Sequence, residues 1–348
     1  MAEKKSLWYG IVGVKKLDKK GYVQFIRRIG IFVIAAMVLS FVVFVGIALF
    51  GNFSKVVSIA STANLSIYAL AFGCVLVSFA LRFVKWDYYI KKLGLKVSSR
   101  KNLAVYMSVY SMDITPGRIG RVVAAFTLNR ITKIKFAQIV PIVTMDIFTD
   151  FLGTAVLALI ASLYLNKYVV YVVTIDLLLL IPFLFILNDW LYKRIKNSMK
   201  TSRFLKLFSI YGDEYYASQS VLNTPRVYLT SLVFTLPAEF FCGMALYFTL
   251  RSIGIMSKIS ESIFAYSSTL VFGMLSGMPG GIGVTDGTLV ALLGSVYHLS
   301  ASVSSAATIM VRMATLWFGV GLGAVFLVYT IRYWNPSTKR NKGIKKKG

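Results

Sequence analysis

Nine ionisable side chains stand inside stretches that are otherwise apolar: Asp113, Arg118, Arg121, Asp146, Asp150, Asp176, Glu239, Asp286 and Arg312. A charge at bilayer depth costs about 2.5–3.5 kcal/mol on insertion scales, so each is by default a candidate for handling substrate, ion or proton. Arg118 and Arg121 follow one Pro-Gly pair and Asp286 follows another. Residues 116–120 read Pro-Gly-Arg-Ile-Gly, and 279–283 read Pro-Gly-Gly-Ile-Gly. Two guanidinium groups beside the unpaired N–H groups of a helix start suit a phosphate. The alternative is that both snorkel to headgroups and only anchor the segment.

Asp146 and Asp150 are four apart and share one helix face. They can pair with Arg118, Arg121 or Arg312, carry a proton, or form a purely structural ion pair. Asp286 can cap the helix that starts after the second Pro-Gly pair. Arg312 lies deep in the last apolar run. Glu239 follows Pro237, where a kink would free carbonyls for substrate or proton handling. Around these charges, Thr115, Pro116, Gly117 and Gly120, and later Pro279, Gly280, Gly281 and Gly283, form the backbone of two knots.

Other chemistries lack their residues. The single histidine, His298, excludes a Ser-His-Asp arrangement at the charged cluster and a histidine-rich metal site. Cys74 and Cys242 fall within apolar runs, where cysteine acts as a small apolar residue, so neither a disulfide nor a metal framework follows. The glycine-rich knots are not Walker A loops, and no strand precedes them. No cofactor, metal or catalytic constellation is expected, and the chain reads as a non-enzyme.

The elements that position these groups are membrane helices. The 348 residues are 57% hydrophobic, with mean hydropathy +0.70. Formal net charge is +26. Its lysines and arginines are dispersed between apolar runs, as in loops beside anionic lipid, which argues against nucleic acid as a partner. The expected order begins with a cytoplasmic interfacial segment, 1–28, rather than a signal peptide. Spans follow at 29–50 and 65–84, then an inside loop at 85–101 carrying Lys85, Lys91, Lys92, Lys96, Arg100 and Lys101. A hairpin at 102–129 is split at Thr115-Pro116-Gly117. Spans at 136–165 and 168–187 come next, then an amphipathic surface segment at 188–226. A fifth span, 227–250, is interrupted at Pro237. The second hairpin, with short helices at 261–276 and 284–297, and a sixth span within 300–330 complete the domain, and 331–348 is a basic tail.

Only Lys55, Lys167, Arg251 and Lys258 fall on segments assigned outside, which satisfies the positive-inside rule with both termini cytoplasmic. The cell membrane is the expected location. Neither half of a hairpin reaches the roughly 20 residues a spanning helix needs, so each knot reads as a re-entrant turn buried in protein or lining a wet cavity. The first hairpin enters from the cytoplasm and the second from outside. The fold class expected is therefore an all-α polytopic membrane protein with about six transmembrane helices and two opposed re-entrant hairpins. Its half-repeats, about 29–165 and 168–330, are inverted, an arrangement typical of transporters.

On these motifs the chain resembles the flippase-like family that includes the transmembrane region of lysylphosphatidylglycerol synthases. That family typically shows Pro-Gly-x-x-Gly-Glu, an acidic-Arg-x-x-Asp element, Pro-Gly-Gly-x-Gly-x-x-Glu and an arginine in the last span. They correspond here to residues 115–121, 146–150, 279–286 and Arg312, and the resemblance runs from about 29 to 330. Arg121 stands where the family usually has Glu, Ile147 where it has Arg, and Asp286 replaces Glu. The resemblance implies translocation of a lipid, aminoacylated or polyprenyl-phosphate, without a synthesis step. It also implies membrane lipids as partners and leaves a lipid-modifying enzyme and a homo-oligomer open. Taken with the buried charges read above, the expected substrate-binding residues are Arg118, Arg121, Arg312, Asp146, Asp150, Asp286 and Glu239. The rivals are a membrane-embedded transferase acting on polyprenyl-phosphate or phospholipid, and a small-ion or proton-coupled transporter.

Overall fold

The computed structural model describes residues 19–132, 134–164, 212–295 and 297–334. The expected fourth span (168–187), Asp176, most of the amphipathic segment, residues 1–18 and residues 335–348 lie outside them. Among the described residues the chain is helical throughout, with no strand. That is the only open-ended backbone arrangement that satisfies its own hydrogen bonds in lipid.

Helix α1 spans Lys19–Phe50, so residues 19–28 are the first turns of the same helix as the first apolar run. Residues Ile34–Phe50 of α1 meet α2 (Phe53–Ser61) at a 99° bend. Asn52 caps α2 by accepting the Lys55 N–H, and Asn64 caps α3 (Leu65–Lys92) by accepting from Ser66 and Ile67. Helices α4 (Ser99–Val109) and α5 (Val123–Thr132) flank the first Pro-Gly break, which runs as two 3-10 stretches, Tyr110–Met112 and Pro116–Val122. Helix α6 follows at Phe136–Leu163 and α7 at Gly212–Leu222. Helix α8 spans Pro225–Ser252. Helices α9 (Ile259–Leu275) and α10 (Val284–Ser295) flank the second break, with a 3-10 turn at Pro279–Gly281. The chain then runs through α11 (Ala301–Arg312), a π-turn at Met313–Trp317, and α12 (Phe318–Trp334).

Four helical stretches among the described residues are long and apolar enough to cross a membrane: α3, α6, α8 and Ala301–Thr330. The bent pair Ile34–Phe50 with Phe53–Ser61 would make a fifth. This is a multi-pass membrane protein. The most apolar window of α6 is 72% buried, against 33%, 44% and 39% for α3, α8 and Ala301–Thr330. Helix α6 is therefore the central post, and it carries Asp146 and Asp150. Helices α3 and α8 run antiparallel beside it, joined at Ser78–Cys242, Arg82–Glu239 and Tyr89–Ser231.

Two sequence expectations need correction. Helix α8 continues unbroken through Pro237, as α6 does through Pro141. One missing N–H inside a packed bundle is tolerated when neighbouring groups satisfy the carbonyl it leaves. The loop expected at 85–101 also starts later than residue 85. Helix α3 continues to Lys92, and the Lys85 side chain is fully buried against α6.

One order of elements occurs twice. Helix α3 ends at Gly94 (φ 67), where the Leu95 N–H donates to the Ile90 carbonyl. Helix α8 ends at Gly254 (φ 82), where Ile255 donates to Leu250. Both ends are the left-handed helix stop that glycine supplies without strain. Each is followed by a short helix, a Pro-Gly break, a second short helix and a further long one.

Candidate functional site

The two breaks come together. Gly280 takes a left-handed conformation (φ 59) that a side chain would strain, and a Cβ built on it would lie 3.4 Å from the Ile114 Cα. Around this junction lies a cavity of about 320 Å³. It is lined from the first break by Asp113, Thr115, Arg118 and Arg121, and from the second by Met278, Gly280 and Gly281. Arg82 of α3 and Arg312 of α11 complete its charged lining.

Local sequence sets the geometry of the first break. Pro116 cannot donate and disfavours helix at Thr115, whose backbone is extended (φ −84, ψ 149). The Thr115 hydroxyl donates to the Met112 carbonyl at 2.7 Å and accepts the Gly120 N–H at 2.8 Å. The Arg118 N–H donates to the Thr115 carbonyl at 3.0 Å. This loop holds Arg118 at φ 55, a left-handed conformation that costs a residue with a Cβ about 1–2 kcal/mol. Strain of this kind persists where the surroundings over-determine it, and it clusters at functional sites.

The centre of the charged network is Asp150 on α6. Its Oδ2 lies 2.5 Å from Arg82 Nη1, 3.2 Å from Arg121 Nη1 and 3.7 Å from Arg118 Nη1. Its Oδ1 lies 2.5 Å from Lys85 Nζ. Asp146, one turn earlier, meets Arg121 at 3.0 Å and Lys85 at 3.2 Å. Arg121 closes a fork on Asp113, with Nε and Nη2 donating at 2.7 and 2.9 Å. Arg82 reaches on to Glu239 of α8 at 2.6 Å. Lys85 Nζ also donates to the Thr149 hydroxyl at 3.1 Å, and that hydroxyl lies 2.9 Å from Tyr89 Oη. Four cations thus face four carboxylates, a formally neutral cluster. Neutrality is what permits such burial, because an uncompensated ion in a low dielectric costs several kcal/mol.

A separate pair holds the second break. Arg312 Nε lies 2.7 Å from Asp286 Oδ1, and its Nη2 donates to the Gly280 carbonyl at 2.7 Å. The other Asp286 oxygen accepts the Gly283 N–H at 2.8 Å, so the carboxylate caps α10 and pairs with Arg312 at once. One guanidinium therefore ties both sides of the second break to α11.

The structure brings Arg118, Arg121, Asp146, Asp150 and Glu239 into one network and joins Arg312 to Asp286. It does not bring Arg312 to Asp146 or Asp150. Pro116, Gly117 and Gly120 form the turn of the first break; Pro279, Gly280, Gly281 and Gly283 form that of the second. Sequence reasoning omitted Lys85 and Arg82 from the site. The signal was present in their spacing: Ser78, Arg82, Lys85 and Tyr89 recur at helical intervals, a polar stripe on an otherwise apolar helix. Arg121 is also more committed than expected, since every donor nitrogen of its guanidinium already meets a carboxylate.

A family model described as the lysylphosphatidylglycerol synthase TM region matches residues 33–323. A comparison with curated proteins found no match.

Proposed function

The chain belongs to the lysylphosphatidylglycerol synthase TM region family, and from that premise we propose that it moves a lipid with a phosphate-bearing or aminoacylated headgroup between leaflets by alternating access. The observation that carries this reading is the meeting of the two Pro-Gly breaks at one cavity walled by four arginines. Broken helices that meet near the middle of a transporter are where such proteins bind their substrates. In this reading the breaks are the tips of opposed re-entrant hairpins in an inverted repeat of six spans, within the cell membrane and with both termini cytoplasmic. The duplicated order of glycine stop, short helix, break and short helix supports it. Arg118, Arg121 and Arg312 stand at the headgroup, while Asp146, Asp150 and Asp286 balance their charge.

The test is leaflet accessibility of labelled lipids in vesicles that contain the purified chain. Movement by the wild type that Arg312→Ala and Asp150→Asn both lose is the expected result. Folded protein that moves no lipid refutes the proposal. Ion flux in those vesicles would then point to a small-ion transporter, and chemical turnover of the lipid to a membrane-embedded transferase.

A further inference from the structure

Charge around the cavity is sorted by side. Arg82, Arg118, Arg121 and Arg312 line it, and Asp113 is the only acid among the described residues that does so. Asp146, Asp150, Glu239 and Asp286 stand behind the guanidinium groups they neutralise. The one lining acid is occupied, since Arg121 takes both Asp113 oxygens. Glu239 Oε2 has no hydrogen-bond partner, but it is buried behind Arg82 and off the cavity wall. An entering ammonium group therefore finds no uncommitted carboxylate and faces four like charges.

The donors differ. Arg121 and Arg82 are tied to carboxylates at 3.2 Å or less, and Arg312 to one carboxylate and one carbonyl. Arg118 is the exception. Its one acidic neighbour is 3.7 Å away, its Nη1 is buried without a hydrogen bond, and its backbone is held left-handed so that the side chain lines the cavity. A phosphate there would gain a charge-assisted bond without breaking an existing pair.

Resting on the lipid-transport reading above, we propose that the cavity takes the phosphate of an anionic lipid whose headgroup carries no ammonium group, with Arg118 meeting that phosphate. The full chain in phosphatidylcholine vesicles is given acyl-labelled phosphatidylglycerol or the same lipid bearing a lysyl ester, and transbilayer movement of each is timed. Phosphatidylglycerol should move at least about tenfold faster than its lysyl ester, the discrimination expected when a cation has no partner to replace its water. Arg118→Gln should slow phosphatidylglycerol at least about tenfold, and Arg118→Lys, which keeps the charge, should restore much of the rate.

Equal or faster movement of the lysyl ester overturns the selectivity and leaves lipid transport standing. Wild-type rates in Arg118→Gln overturn the assignment of Arg118. Movement of neither lipid by folded protein overturns selectivity and transport together. Uptake of inorganic phosphate with no lipid movement overturns the lipid as the source of the anion.

Discussion

Replacing Asp150 with Asn removes the carboxylate on which four cations converge. At an effective dielectric near 20, a single pair 4 Å apart is worth about 4 kcal/mol. All four of the Asp150 contacts are closer than that, at 2.5, 2.5, 3.2 and 3.7 Å. Repulsion among the cations and the retained amide dipole offset much of the sum, so the net cost falls in the range of about 3–5 kcal/mol measured when a buried pair loses one member. For a chain this long, that corresponds to a fall of about 6–10 °C in melting temperature, taking about 2 °C per kcal/mol. The excess positive charge can be removed independently. Lys85→Met deletes the fully buried ammonium that Asp150 contacts at 2.5 Å, and Asp150→Asn with Lys85→Met returns the cluster to equal numbers of each sign. The double variant should therefore melt above Asp150→Asn alone, with a coupling of about 1–3 kcal/mol in a double-mutant cycle. The assay is thermal unfolding of the purified protein in one detergent, followed by intrinsic fluorescence. Additive losses, or an Asp150→Asn variant that melts within about 1 °C of wild type, would refute the idea that charge balance holds these helices together.

Arg312→Lys keeps the charge but cannot span Asp286 and the Gly280 carbonyl with one planar group, so transport should fall at least about tenfold with a loss of about 1–3 kcal/mol in stability. Retained transport with lowered stability would limit Arg312 to a structural tie. Asn64→Ala removes the cap that accepts from Ser66 and Ile67 and should cost about 1 kcal/mol in the same melts. The lipid transport rate should be unaffected, because this cap lies at the far end of α3 from Arg82. At Gly323, a Cβ would strike the Ser111 N–H and lie 2.9 Å from the Tyr110 carbonyl carbon. Gly323→Ala should therefore cost about 1–3 kcal/mol by overpacking, and wild-type stability would mean that α12 does not press on the first break.

The breaks were legible in the sequence because proline and glycine act through local geometry. A missing N–H and a left-handed φ stop a helix whatever surrounds it, so residues 115–120 and 279–283 read correctly from their neighbours alone. The charges beyond the breaks were legible as exceptions, and Asp146 and Asp150 fell on one face as their spacing required. Lys85 escapes a sequence reading because counting positive charges treats any lysine near the end of an apolar run as a loop residue. What decides its place is the pair of carboxylates on α6, more than sixty residues away. Arg121 stands out in the sequence, but its commitment to Asp113, Asp146 and Asp150 depends on how the first break folds against α6. The composition of either element alone does not contain that information.

The π-turn after Arg312 changes what one long helix can reach. In a regular α-helix, residues 312 and 319 are seven apart and share a face. A turn that closes i to i+5 takes in one extra residue, and at 3.6 residues per turn this rotates everything beyond it by about 100°. Arg312 can thereby address the second break while Gly319 and Gly323 face Phe79, Tyr110 and Ser111 of the first half. Deleting a single residue between 313 and 317 would restore the regular phase and swing one of these two faces into lipid. The insertion thus works as a fixed angular offset, letting a single helix serve two halves of the protein that approach it from different directions.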